Sequence, residues 1–208
     1  MKIYTQTRES QSIMTSQTAL KMLKEGNERF ITARPLKRNY VNQIELTKLG
    51  QYPFAIVLSC IDSRVPSEII FDQGIGDLFN ARVAGNCVSD DVLGSIEYAT
   101  KFAGSKLIVV MGHTGCGAIN SACEQVESGH ITQLLEKIQP AIQKVKKEKN
   151  ETKESFIYSV TEENVQHVLN EIPKQSKDIC ELLESKKIEM IGCIYDVNSG
   201  KVKFLNGF

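Results

Sequence analysis

The sequence has no surplus of either charge: 25 Lys and Arg stand against 25 Asp and Glu across 208 residues. Such balance gives no electrostatic reason to expect a nucleic acid or an anionic membrane surface as partner. No apolar run approaches the length needed to span a bilayer. Met1 to Met14 is polar and lacks the apolar core of a signal peptide. There is no low-complexity tract, no internal repeat and no internal domain boundary. The six cysteines (Cys60, Cys87, Cys116, Cys123, Cys180 and Cys193) lack the dense spacing of a disulfide-stapled secreted domain. The expectation is a cytoplasmic protein whose thiols stay reduced and can ligate a metal.

What is present is ordinary for a globular chain: 41% hydrophobic and 24% charged residues, enough for one well-cored domain over 1–208. Residues 1 to about 14 read as loosely ordered. The apolar spacing of Ala19, Leu20, Leu23 and Phe30 predicts a helix from Ser16 to Phe30, and a short helix is expected over Asn42 to Leu49. Phe54–Leu58 and Leu107–Met111 read as buried strands, Asp77–Val83 as a weaker one. Helices are expected over Ser67–Phe71, Val88–Phe102, from Ala118, as one amphipathic helix carrying Ile131 to Val145, and over about 161–171 and 176–186. Lys144 to Glu154 reads as a solvated helix end and linker. A last strand, Ile188–Tyr195, and the Asn198-Ser199-Gly200 turn point to an antiparallel edge strand at Lys201–Leu205. Strands alternating with helices predict a three-layer α/β/α domain with a mostly parallel central sheet.

Two short segments concentrate the chemistry: Cys60-Ile61-Asp62-Ser63-Arg64 and Gly112-His113-Thr114-Gly115-Cys116-Gly117. Each follows a β-branched apolar run and so belongs at the carboxyl end of a buried strand, where α/β sheets gather their ligands. If the two strands are neighbours, two thiolates and one imidazole meet there, the donor count of a catalytic zinc site with one position left open. Asp62 is placed to orient a metal-bound water, or to bind the metal itself, and Arg64 offers a planar fork that would keep Asp62 ionised and aimed. Each piece alone has a plainer reading. Cys60 could be a core thiol, and the glycines of the second segment resemble a phosphate cradle. Their order is not G-x-G-x-x-G, and a nucleotide site has no use for the histidine and cysteine inside the loop. Cys123, Cys180 and Cys193 read as packed hydrophobes.

Cys60-x-Asp62-x-Arg64 combined with Gly112-His113-x-x-Cys116-Gly117 resembles the β-class carbonic anhydrases. The resemblance runs from the helix near residue 16 to Tyr195-Asp196. It takes in Phe79 to Asn86, similar to that family's Arg-x-Ala-Gly-Asn segment, and Ser95 to Ala99, similar to its following helix. It implies Cys60, His113 and Cys116 as ligands of Zn2+ and Asp62 with Arg64 as the catalytic dyad. It further implies Gln51 as a hydrogen-bond donor to bicarbonate, with Phe79 and Tyr98 lining the substrate pocket. Part of that lining comes from a partner subunit in the family. A homodimer or a dimer of dimers is therefore implied, with the N-terminal helices over about 16–50 packing on the partner. Two positions depart from the family pattern: Ile61 stands in place of serine, and Val83 where many members have asparagine. With Gln51 present and no tryptophan in the chain, the open-site subgroup is favoured over the bicarbonate-inhibited one.

The implied activity is reversible hydration of carbon dioxide to bicarbonate and a proton, by attack of zinc-bound hydroxide. His130 and His167 are proton-shuttle candidates by residue type alone. Three rivals stay open at this point. One is hydrolysis of carbon disulfide or carbonyl sulfide at the same kind of site. Another is a non-enzymatic zinc-holding subunit closed by Asp62. The third is a nucleotide-binding module.

Overall fold

In the computed structural model, residues 5–146 and 152–205 are described. Five strands build one sheet in the order β2-β1-β3-β4-β5: β1 (Ala55–Ser59), β2 (Leu78–Arg82), β3 (Leu107–His113), β4 (Glu189–Tyr195) and β5 (Val202–Phe204). The first four run parallel and β5 pairs antiparallel with β4. Every residue of β1 and β3 is buried, as expected of parallel strands covered on both faces. The weak reading of β2 has its reason in its edge position, where only Leu78 is fully buried.

Alternation along the strands sends Ile56, Leu58, Ile108, Val110, Met190 and Ile194 into one core. There they meet α5 (Asp90–Glu97), α9 (Lys153–Gln175) and α10 (Lys177–Glu184). Ala55, Val57, Val109, Met111 and Cys193 point the other way, onto Ala19 and Leu23 of α2 (Ser16–Ile31) and Ile70 of α4 (Ser67–Ile70). The three-layer expectation holds. Helix α9 lies so close to the sheet that a Cβ on Gly112 or Gly192 would stand 2.8 or 2.7 Å from Val165, so glycine at both positions sets the packing distance.

A third apolar cluster sits beyond the carboxyl ends of the strands. It joins Cys60, Cys87 and Cys116 to α6 (Gly117–Cys123), α7 (Gly129–Glu136) and α8 (Gln139–Lys146).

Several elements differ from their sequence reading. The stretch Ile131–Val145 is two helices: α7 ends at Glu136 and α8 begins at Gln139. Pro140 has no N–H to continue a helix and suits a first turn. Helix α9 starts at Lys153, where Thr152 caps it by accepting from the Ser155 N–H, so it extends well beyond 161–171. Of the linker reading, residues 147–151 lie outside the described residues. The helix expected over Val88–Phe102 is α5 followed by a wider π turn, Tyr98–Phe102. Near the N-terminus, Arg8–Ser12 forms a short helix, α1, closed by a reciprocal Thr7–Ser10 capping box. Gln11 then anchors it by donating to the carbonyls of Pro53 and Ala103, both at 2.8 Å. Residues 1–4 of that reading lie outside the described residues. Helix α3 (Tyr40–Thr47) leaves Val41 and Ile44 on the surface, and Leu49 just beyond it is 95% exposed.

Candidate metal centre

The condition set by the sequence is met: β1 and β3 are direct neighbours, paired from Ala55↔Leu107 to Leu58↔Val110. Continuing that register by two residues sets Cys60 level with Gly112 and beside His113. The chain then turns through Gly115, at φ +65°, and brings Cys116 back to the same point as the N-cap of α6. Cys60 Sγ, Cys116 Sγ and a ring nitrogen of His113 all lie within 4.8 Å of one another, and all three residues are buried. This group is able to hold a metal ion, and it is the one such cluster among the described residues.

His113 is fully buried, and its Nδ1 lies 3.0 Å from the Thr114 carbonyl. A carbonyl accepts only, so Nδ1 carries the proton and Nε2 presents a lone pair. Nε2 has no hydrogen-bond partner in the protein. A buried polar atom without a partner costs stability unless something fills its lone pair. Here it points into the space shared by the two sulfurs, which are 3.9 Å apart.

The two sulfurs lie in hydrogen-bonding contact. The Cys116 thiol pulls the Cys60 pKa down, and His113 and the backbone N–H groups of Asp62 and Gly85 act in the same sense against burial. Cys116 moves upward, through Cys60 first and burial second. Cys87 is buried nearby and is pushed up to about 11 by desolvation, so it stays a neutral thiol.

Asp62 and Arg64 occupy the open side. Arg64 donates from Nε to Oδ1 at 2.9 Å and from Nη2 to Oδ2 at 2.7 Å, and its own backbone N–H reaches Oδ1 at 2.9 Å. Nη2 also reaches the Gly115 carbonyl at 3.1 Å, which ties the first segment to the second. The Arg64 guanidinium holds the Asp62 carboxyl well below the usual carboxylate range. Asp62 Oδ2 lies 3.9 Å from His113 Nε2.

Arg82 lies within the Phe79–Asn86 segment, but the sequence alone gives it no part in the site. As the last residue of β2 it pairs with Ser59, and it donates from Nε to the Cys60 carbonyl (3.0 Å) and from Nη2 to the Asp62 carbonyl (2.6 Å). The one available signal was its place at the end of a strand beside the thiolate segment.

Gln51, Phe79 and Tyr98 are not brought to this centre within the chain. Gln51 is exposed and precedes β1, whereas Cys60 follows it. Phe79 pairs with Ile56 near the start of β1 and makes an edge-on contact with Tyr98, ring centroids 6.2 Å apart. Tyr98 stacks in turn on Phe102, and both are largely exposed. His130 is exposed, and His167 lines a separate cavity of about 480 Å³ with Cys87, Lys137 and Glu171.

A family model described as carbonic anhydrase matches residues 55–202. Carbonic anhydrase 2 of Mycobacterium tuberculosis is 34% identical over 189 residues, covering 88% of this chain and 89% of that protein. The carbonic anhydrase of Mycolicibacterium smegmatis is 35% identical over 195 residues, covering 89% and 91%. Among solved structures, a tetrameric β-carbonic anhydrase of Sordaria macrospora superposes with a TM-score of 0.71 at 24% identity, covering 80% of this chain and 88% of that one. No helix among the described residues is long and apolar enough to cross a membrane.

Proposed function

The chain belongs to the β-class carbonic anhydrases, whose general reaction is the reversible hydration of carbon dioxide, and we propose that it carries out this reaction with a zinc ion held by Cys60, His113 and Cys116. The observation that carries the reading is the convergence of two thiol sulfurs and one orphaned, fully buried imidazole nitrogen on one point. In a tetrahedral site with Zn–S bonds of about 2.3 Å, two sulfurs stand about 3.8 Å apart. Here they are 3.9 Å apart. The ion, when bound, acidifies a coordinated water so that hydroxide is available near neutral pH to attack the carbon of carbon dioxide.

The protein's own side chains do the rest. Both oxygens of Asp62 are engaged by Arg64, which keeps the carboxylate charged and fixed in direction. With the ion bound, Asp62 would accept a hydrogen bond from its water and orient it. A cytoplasmic, reducing setting suits the two thiolates, and all six cysteines are free of disulfides. Gln51, Phe79 and Tyr98 serve the metal centre of a partner copy in a homodimer or a dimer of dimers.

The test is metal content measured beside stopped-flow carbon dioxide hydration on one purified sample. One zinc per chain with turnover is expected. Zinc without turnover would mark a closed, non-catalytic holder, and metal-free protein would end the reading. Parallel assays with carbon disulfide and carbonyl sulfide identify the substrate.

A further inference from the structure

His113 ends β3 opposite Tyr195 of β4. The residues just past both strand ends are tied to each other. Thr114 N–H donates to the Tyr195 carbonyl at 2.9 Å. The Thr114 hydroxyl donates to Asp196 Oδ1 at 3.1 Å and accepts from the Val197 N–H at 3.0 Å. The Thr114 carbonyl accepts a hydrogen bond from His113 Nδ1–H at 3.0 Å. Asp196 is itself held: its carboxylate accepts from Ser199 Oγ and from the Asn198 backbone and side chain. The turn it governs is moored to α2, where Asn27 donates to the Gly200 carbonyl and accepts from the Val202 N–H, both at 2.9 Å.

We propose that Thr114 and Asp196 are positioning residues for the metal centre, fixing the ring orientation and tautomer of His113 from the far end of the chain. The proposal rests on the zinc reading above. The N–H bond fixes the peptide before Thr114 and the two hydroxyl bonds fix its side chain, so the residue is held between them with its carbonyl, in the peptide shared with Gly115, meeting Nδ1. The proton is therefore kept on Nδ1, and Nε2 is kept bare and aimed at the sulfurs. Without the hydroxyl, the backbone bond to Tyr195 remains but the peptide after Thr114 loses its side-chain anchor, and the carbonyl that holds the Nδ1 proton is less firmly placed. Groups that orient a ligating histidine in this way change metal affinity by about 10- to 100-fold when removed.

The experiment measures zinc affinity of apoprotein by chelator competition, with the visible spectrum of the cobalt-substituted protein as a second readout. Thr114→Val keeps the shape and deletes the hydroxyl. It is expected to weaken zinc by about 10- to 100-fold and to alter the cobalt spectrum, while Thr114→Ser restores both. Asp196→Ala should follow Thr114→Val, and Asp196→Asn, which keeps an acceptor oxygen, should follow wild type. Thr114→Val with wild-type affinity and spectrum overturns the proposal. So does a Thr114→Ser variant as impaired as Thr114→Val, since that would assign the effect to the methyl group. If Thr114→Val does not fold, Asp196→Ala against Asp196→Asn decides by the same readouts. Wild-type protein that takes up no zinc instead overturns the zinc reading on which the proposal stands.

Discussion

Arg64 closes on Asp62 through both carboxylate oxygens, at 2.9 and 2.7 Å, while Asp62 Oδ2 stays within 3.9 Å of His113 Nε2. One planar group thus sets the charge and the direction of the acid beside the metal centre. Asp62→Asn keeps the three ligands and should keep the zinc, yet it replaces an acceptor by a group that is half donor. Turnover should fall by about 100-fold or more. Arg64→Lys offers a point charge where a fork is needed, and a smaller loss is expected. Stopped-flow rates beside zinc content check both, and an Asp62→Asn enzyme with wild-type rate removes Asp62 from the reaction.

Arg82 makes a separate prediction because its bonds go to backbone. Its guanidinium spans the carbonyls of Cys60 and Asp62, so Arg82→Met, of similar length, frees the segment carrying both a ligand and the acid. Each lost bond is worth about 1 kcal/mol in stability. The larger effect should be a fall in kcat with zinc retained. Thermal unfolding and kinetics on the same preparation separate the two, and a stability loss with unchanged kcat would reduce Arg82 to a structural tie.

How far the sequence reached can be judged residue by residue. The convergence of Cys60, His113 and Cys116, with Asp62 and Arg64 beside them, was legible because strand-end position and donor chemistry coincide within two short segments. The central strands were legible because Phe54–Leu58 and Leu107–Met111 are short, continuous apolar runs, the pattern of a strand covered on both faces. The break between α7 and α8 was hidden, because Ile138 continues the apolar stripe across it and is fully buried. Periodicity reports which side chains are inside, not whether the backbone between them is continuous. Arg82 bonds to the Cys60 and Asp62 carbonyls and Thr114 offers its own carbonyl to His113, and backbone acceptors leave no trace in residue identity. Thr114 and Asp196 lie 82 residues apart, so only the β3–β4 register reveals them as a pair.

The pH profile follows from the ligand set. With zinc bound as proposed, two thiolates would give the ion more negative charge than neutral imidazoles, its water would be acidified less, and the hydration rate should rise toward alkaline pH. Asp62 is not the source of that rise. Its pKa is lowered by Arg64, so the carboxylate is ionised at every pH above about 4, its ordinary value. Linkage has the same sign: the stability gained from the Asp62–Arg64 pair is present above that ordinary value and is lost only as pH falls through the lowered one. Asp62→Asn removes a negative charge beside the same water, so it should lower the profile and move its midpoint toward lower pH while the alkaline rise persists. A rate that is flat from mildly acid to alkaline pH in the wild type, or a midpoint that moves upward in Asp62→Asn, contradicts this account.

The last prediction concerns which subunit's centre Gln51 serves. Gln51 precedes β1 and Cys60 follows it, and the strand between them, four steps of about 3.3 Å, is about 13 Å long. Phe79 and Tyr98 form their aromatic contact toward the same far end, on the exposed side of edge strand β2. In a two-fold dimer these residues can reach the partner's metal centre, with Val41, Ile44 and Leu49 among the apolar groups available to the interface. A dimer of one Gln51→Ala subunit and one Asp62→Asn subunit then contains one site with both groups intact and one with neither. Purified through two different tags, it should show about half the wild-type rate, whereas each parent homodimer is impaired at both sites. If Gln51 acted within its own chain, every site of the mixed dimer would carry one defect, and its rate would be no higher than the mean of the two parents.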